Sequence, residues 1–296
     1  DSDSNFQGLA YPTGGGNVTV RAGRDVVGAP SDQLYTDWLW RAGTNASSPS
    51  GYNPSAWTVN FGLFEQGFGA LGGGDLRITA GRDLLDVGAN VPSIGMPVGD
   101  GTQAGTQTLQ LDSGLLSVHA GRDIAGGSYL GMGLGGDISA GGSLRDGSYN
   151  TVYLYGIPNL IMPHAPVLAL GSGTLEVQAR QNLTIDTVLN PTLLPRSSLQ
   201  MFDPGQEFFS TYGSTGAVQL IAAGGDVTLQ NATSPADPIA LGSVYLPVGA
   251  ASFLATYWDP TLRAYPPNLD AVSLSGSLHI NGSMNFWPAA RGTFNL

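Results

Sequence analysis

The sequence predicts an all-β fold built as a parallel β-helix, in which short strands coil and each turn stacks on the last. Two observations predict it. The tetrapeptide Ala-Gly-Arg-Asp occurs three times, ending at Asp25, Asp83 and Asp123, each time after alternating apolar residues. Related copies recur along most of the chain, and self-similarity of this kind is the signature of a solenoid.

Seven copies share one pattern: a short alternating strand, a tight bend containing Gly, a small polar residue and a second short apolar strand. They cover 17–28, 75–86, 115–126, 137–147, 174–185, 218–229 and 272–282. Because side chains alternate between the two faces of a strand, every second residue is expected to face the core. The predicted core includes Val20, Ile78, Val118, Val177, Ile124 and Leu183. In the sixth copy, alignment on Asp226 points Gln219 inward, which indicates a bulge or a slip of one residue.

The small polar position sets the expected length of a turn. Its successive spacings are 58, 40, 20, 39, 44 and 51 residues. We expect 20 residues to make one turn, 39 and 40 to make two, and the longer spacings to contain insertions or further turns.

The bends are predicted to be structural corners. Gly permits a left-handed backbone there, and Asp can bond the local backbone. This role is assigned to Gly23, Asp25, Gly81, Asp83, Gly121, Asp123, Gly224 and Asp226. Arg24, Arg82 and Arg122 are expected to lie outside, beside the acidic ladder. An antiparallel β-sandwich is the alternative architecture, but it does not predict one corner motif recurring in one register.

Composition limits the class of protein. With 42% hydrophobic and 11% charged residues among 296, the chain is expected to fold. Its formal charge of −11 argues against nucleic acid and anionic membranes as partners. The sequence contains no run of about eighteen apolar residues, so membrane insertion is not predicted. The absence of Cys excludes disulfides. We interpret residues 1–296 as a single β-helix segment, a fragment of a longer chain.

Repeated corners such as "ITAGRDLLD" and "LIAAGGDVTL" resemble filamentous-haemagglutinin-like exoproteins of two-partner secretion, which include adhesins and contact-dependent growth-inhibition effectors. The stretch "LHINGSMNFWPAARGTFNL" (278–296) resembles a connecting turn of that family. The resemblance implies a right-handed coil, export through an outer-membrane transporter, and a location outside a Gram-negative cell. It also implies a shaft role in virulence or cell adhesion, with a host or bacterial surface receptor or glycan as partner.

Long segments at 29–70, 87–111, 148–170, 187–213 and 231–268 are predicted to be insertions, which decorate one side of the coil if all leave at the same point. Loops on a rigid scaffold often carry binding sites, and aromatic rings beside carboxylates suit sugars. The candidate ligand-binding residues are Trp38, Trp40, Tyr52, Trp57, Tyr257 and Trp258, with Asp37 and Asp259. The other interpretation, which we favour, is that these rings are buried as satellite cores covering the coil.

The sequence gives no sign of catalysis, a cofactor or a metal site. His119, His164 and His279 are far apart, and no transition-metal spacing occurs. Glycoside hydrolysis needs two carboxylates facing one substrate, which Asp37 and Asp259 could supply only if their loops met. We therefore expect no enzyme and no cofactor. A carbohydrate-binding or carbohydrate-cleaving β-helix, with its site in the aromatic insertions, is the alternative function.

Overall fold

The computed structural model describes residues 15–29, 35–42, 56–59, 61–98, 107–111, 113–154, 157–163, 165–191, 212–230, 264–282 and 284–296. Their strands form a parallel β-helix, which confirms the predicted fold class. A complete turn contributes one strand to each of three parallel sheets. The antiparallel sandwich is wrong, because antiparallel pairing among the described strands is confined to inserted hairpins.

The first sheet has eight parallel strands. They are β1 (Val18–Ala22), β6 (Leu76–Ala80), β11 (Leu116–Ala120), β14 (Gly135–Ala140), β19 (Thr174–Ala179), β22 (Ala217–Ala222), β25 (Asn268–Ser273) and β28 (Thr293–Asn295). We number the turns of the coil one to eight by these strands.

The second sheet has seven short parallel strands, each beginning just after the bend. They are β2 (Val26–Val27), β7 (Leu84–Leu85), β12 (Ile124–Ala125), β15 (Leu144–Arg145), β20 (Leu183–Ile185), β23 (Val227–Leu229) and β26 (Leu278–Ile280).

The third sheet closes the coil with five parallel strands. They are β5 (Phe68–Gly69), β8 (Ala89–Val91), β13 (Ser128–Gly131), β18 (Val167–Leu170) and β21 (Val188–Leu189). In turns six and seven, the corresponding strands β24 (Ala264–Tyr265) and β27 (Asn285–Phe286) pair with each other.

Inward residues stack in ladders along the coil, as the alternation predicts. One ladder runs through Val20, Ile78, Val118, Ile138, Val177 and Leu220. Ile78, Val118, Val177, Ile124 and Leu183 are completely buried, whereas Val20, on the first turn, is half-buried and packs against the same core. Each fully buried side chain stabilises the fold by roughly 1.5–3 kcal/mol.

The predicted turn lengths are wrong for the spacings of 39 and 40 residues. Leu76 pairs directly with Leu116, and Gly136 pairs directly with Leu175, so each spacing is a single turn. The additional residues include two antiparallel hairpins, β9 (Ile94–Val98) with β10 (Gln107–Leu111) and β16 (Tyr149–Leu154) with β17 (Ile157–Pro163). A hairpin pairs much of its own backbone, so it can be inserted without breaking the parallel ladder.

The ranges predicted as insertions also need correction, because each contains the third strand of its turn. For example, β8 lies within 87–111 and β18 lies within 148–170. The insertions leave the coil at two points, after the second sheet and after the third. They therefore do not share one exit, and the condition for decorating a single side is not met.

The slip predicted in the sixth copy lies in its bend. Val218 is buried and pairs with Leu175, so Gln219 faces outward. Three residues separate Ala222 from Asp226 at this bend, whereas two residues separate Ala179 from Asn182 one turn earlier. The additional residue lengthens the corner and leaves the strand in register.

Part of the first insertion covers the third sheet. It comprises the short helix α1 (Tyr35–Trp38), β3 (Leu39–Ala42) paired antiparallel with β4 (Ala56–Val59), and a 3₁₀ turn at Phe61–Leu63. Tyr35, Trp38, Leu39 and Val59 of this insertion pack on the outer side of the third sheet, so β8, β18 and β21 are buried on both faces. The outward side chains of the first sheet remain exposed or half-buried, and we call this surface the open face.

Candidate functional site

The one predicted ligand-binding residue whose side chain is described, Trp38, is completely buried. Its indole Nε1 donates a 2.7 Å hydrogen bond to Oε1 of Gln66. Its ring meets Phe64 edge-on, with centroids 4.9 Å apart. Trp38 shares a cluster with Leu130 and Leu189 on the outer side of the third sheet. The satellite-core interpretation therefore holds for Trp38, and its ring offers no surface to a sugar.

The other predicted ligand-binding side chains lie outside the described part of the structure. The backbones of Asp37, Trp40 and Trp57 belong to α1, β3 and β4, respectively. Tyr52, Tyr257, Trp258 and Asp259 lie outside the described residues altogether.

The corner aspartates bond the next turn rather than the local backbone. Oδ1 of Asp25 accepts a hydrogen bond from the Asp83 amide at 3.1 Å, and Oδ1 of Asp83 accepts one from the Asp123 amide at 3.2 Å. Asp123 does the same for Ser143 at 3.0 Å. Each carboxylate thus joins two turns at the same corner position. The bond expected within the bend is thus replaced by one between turns.

The ladder resumes at the later corners. Oδ1 of Asn182 accepts a 3.0 Å hydrogen bond from the Asp226 amide, and Oδ1 of Asp226 accepts a 2.7 Å bond from the Ser277 amide. Ser and Asn at this position therefore belong to the same structural series as Asp.

Arginines add a second connection between the same turns. Arg82 forks onto both carboxylate oxygens of Asp25, and Arg122 forks onto both of Asp83. The hydrogen bond from Arg82 is the main reason that the pKa of Asp25 falls to about 2. Arg122 likewise lowers the pKa of Asp83, whose side chain is only 6% exposed. These carboxylates are held ionised as parts of the scaffold.

Three of the four corner glycines, Gly81, Gly121 and Gly224, are required by close approach to the preceding turn, and none of the four by a left-handed backbone. None of Gly23, Gly81, Gly121 and Gly224 has a positive φ. A Cβ on Gly81 would collide with the carbonyl oxygen of Gly23, and one on Gly121 would collide with that of Gly81. A Cβ on Gly224 would lie 2.8 Å from the Arg180 carbonyl oxygen. The bends of successive turns stack so tightly that a side chain directed along the coil does not fit.

A second polar ladder, which the sequence reasoning missed, precedes the first sheet. Oδ1 of Asn17 accepts a 2.9 Å bond from the Asp75 amide, and Oδ1 of Asp75 accepts a 2.8 Å bond from the Leu115 amide. Asn268 repeats the arrangement with the Thr293 amide at 3.0 Å. The available signal was an Asn or Asp immediately before, or at the start of, the first strand of a turn.

The open face is a regular polar surface formed by the outward side chains of the first sheet. Its outward side chains run in two rows across the strands. One row is Thr19, Arg77, Ser117, Asp137, Glu176, Gln219 and Asp270, and the other is Arg21, Thr79, His119, Ser139, Gln178, Ile221 and Val272. Positive charge lies at the first two turns, and negative charge lies at turns four, five and seven. The sequence reasoning missed this surface because it considered only the insertions as places for recognition.

Two other features are absent from the described residues. No group of three or more His, Asp or Glu side chains is placed to hold a metal ion in this part of the chain. Over the same residues, no helix has the length and apolar character needed to cross a membrane.

Comparison with known proteins adds no relative. No protein-family model matches the chain, and neither a curated protein nor a solved structure matches it.

Proposed function

We propose that this chain is a structural shaft segment of a secreted or cell-surface bacterial exoprotein, which mediates attachment or presents a distal effector. The observation that carries the proposal is the use of polar residues between turns. The Asp25–Arg82 and Asp83–Arg122 pairs, together with the hydrogen bonds that the backbone amides of Asp83 and Asp123 donate, join consecutive turns of the coil.

A shaft must hold its length, and the turn-to-turn bonds support that role. Eight strands of the first sheet stacked at about 4.8 Å give a rod of about 34 Å. Backbone pairing, a continuous apolar core and corner ladders all act along the same axis. The resemblance of the corners to filamentous-haemagglutinin-like exoproteins adds the expectation of export and surface display.

A sugar site in the aromatic insertions is the weaker candidate. It required exposed rings near Asp37 or Asp259, and the ring of Trp38 is enclosed by Tyr35, Phe64 and Gln66.

The proposal is tested in a bacterium that encodes the chain. Antibodies raised against the purified chain should label intact cells or detect the chain in culture medium. Deletion of a neighbouring outer-membrane transporter gene should abolish that signal and leave the protein inside the cell. Signal confined to the cytoplasm of wild-type cells would contradict the proposal.

A further inference from the structure

Two arginines of the open face differ from the three that pair with the aspartate ladder. Arg82, Arg122 and Arg145 each bind an Asp of the preceding turn. Arg21 and Arg77 are exposed and form no ion pair with any residue in the described ranges. As far as the described residues go, their guanidinium groups are therefore available to an external anion, although the chain as a whole carries a charge of −11.

Register places these two arginines beside two hydroxyl groups. Thr19 lies opposite Arg77 and Arg21 lies opposite Thr79 on the neighbouring strands β1 and β6. The four side chains thus alternate at the corners of a rectangle, about 4.8 Å across the strands and about 7 Å along them. The two arginines occupy one diagonal, with attachment points about 8 Å apart.

This arrangement suits a ligand that carries both anionic groups and hydroxyl groups. A guanidinium binds a carboxylate or a sulfate through two parallel hydrogen bonds. A threonine hydroxyl can donate to a sugar hydroxyl or accept from one. A small inorganic anion needs only one guanidinium, whereas an acidic sugar chain can engage both arginines and both threonines.

The charges of the later turns limit how such a chain can lie. Asp137 and Glu176 follow in the same row as Arg77, and Asp270 lies two strands beyond Glu176. A polyanion aligned with the coil axis would be repelled there, because exposed like charges within about 8 Å interact at physiological salt. The ligand must therefore cross the coil near its first two turns, over β1 and β6 and clear of Asp75, which is exposed immediately before β6.

We propose that Thr19, Arg21, Arg77 and Thr79 form a binding site for an acidic polysaccharide. The site goes beyond the shaft role, which depends on the corner ladders and stands or fails separately. Arg24 lies at the adjacent corner, close enough to Asp25 to help lower the pKa of that carboxyl, and it is not part of the proposed site.

The test uses biolayer interferometry on the purified chain with polygalacturonate, dextran sulfate, neutral dextran and duplex DNA, at salt concentrations between about 50 and 200 mM. The test variant is Arg21→Ser/Arg77→Ser, with Arg21→Gln/Arg77→Gln as a second form that keeps longer side chains. The matched control is Arg180→Ser/Arg291→Ser, which removes the same charge from two other exposed arginines that form no ion pair within the described ranges. A Thr19→Val/Thr79→Val variant tests the hydroxyl groups.

We expect at least one acidic polysaccharide to bind, and the test variants to weaken it about tenfold or more while the control stays within about twofold. The threonine variant should bind the acidic polysaccharides more weakly than the wild type does. The order of affinity between dextran sulfate and polygalacturonate should stay the same. The preferred polymer identifies carboxylate or sulfate as the recognised group. Absence of binding to both acidic polysaccharides, equal binding of duplex DNA, or an equal loss in the control would overturn the proposal. Thermal unfolding by circular dichroism confirms that each variant is folded.

Discussion

At the scale of single residues, the corner aspartates make the fold sensitive to acid. Folding lowers the pKa of Asp25 from 3.8 to about 2, mainly through the hydrogen bond from Arg82, and it also lowers the pKa of Asp83. The unfolded chain therefore binds more protons than the folded chain in this range, so stability falls as pH falls. We expect the free energy of unfolding from these groups to be fully present above about pH 4 and lost progressively towards pH 2. Denaturant unfolding across that range measures it.

The control for this prediction removes the cations that lower these pKa values. In an Arg82→Gln/Arg122→Gln variant, the pKa of each carboxyl should return towards its ordinary value. The stability of this variant should be lower near pH 6 and should change less between pH 4 and pH 2. An identical acid dependence in the wild type and the variant would show that other carboxyls dominate.

Individual residues also show how far a sequence can predict this molecule. The inward positions were predictable because alternation alone decides which face a residue such as Val118 or Leu183 occupies. The hydrogen-bond donor to Asp83 was not predictable, because it is the amide of Asp123, forty residues further along the chain. A corner Asp can bond its own bend or the next turn, and only the stacking distance between turns selects the second.

At the scale of elements, the bend depends on the turn that precedes it. A Cβ on Gly121 would collide with the Gly81 carbonyl oxygen, whereas a Cβ on Gly23, in the first turn, would have no atom of the described neighbours within 4 Å. We expect Gly121→Ala to destabilise the fold by about 1–3 kcal/mol, as overpacking does. Gly23→Ala should be neutral or stabilising by up to about 1 kcal/mol, because it restricts the unfolded chain. Equal losses in thermal unfolding would refute the steric explanation.

The inserted hairpins also explain why the spacing between corners did not predict the number of turns. A turn of 20 residues and a turn of 40 have the same strands in the same register, because the second includes the hairpin β9–β10. Sequence distance counts both the coil and its insertions. The third strand was missed for a related reason: residues such as Ala89 and Leu168 are followed by no repeated corner motif that would mark their place.

At the scale of the whole molecule, the coil is a row of turns that stabilise their neighbours. Val118 and Val20 occupy equivalent positions in one ladder, but Val118 is fully buried between two turns and Val20 lies on the first described turn. We expect Val118→Ala to cost about 2 kcal/mol or more, the range for buried large-to-small changes. Val20→Ala should cost clearly less, because terminal repeats have one neighbour and open locally. Hydrogen exchange on both variants measures the difference. Equal losses of stability in the two variants would contradict the prediction.

The cover on the third sheet and the open face of the first sheet should be separable by mutation. Trp38 is fully buried between the first insertion and the third sheet, so Trp38→Ala should cost about 3–5 kcal/mol in thermal unfolding. Phe61 belongs to the same insertion but is 52% exposed, and Phe61→Ala is the matched control with a small expected effect.

Because Thr19, Arg21, Arg77 and Thr79 lie on another sheet, Trp38→Ala should leave affinity for an acidic polysaccharide unchanged below its melting temperature. The Arg21→Ser/Arg77→Ser variant should behave in the opposite way, with the affinity lost and the melting temperature kept. If Trp38→Ala instead abolished glycan binding with unchanged unfolding, the aromatic insertion would be the recognition surface, and both the cover role of Trp38 and the site on the open face would be wrong.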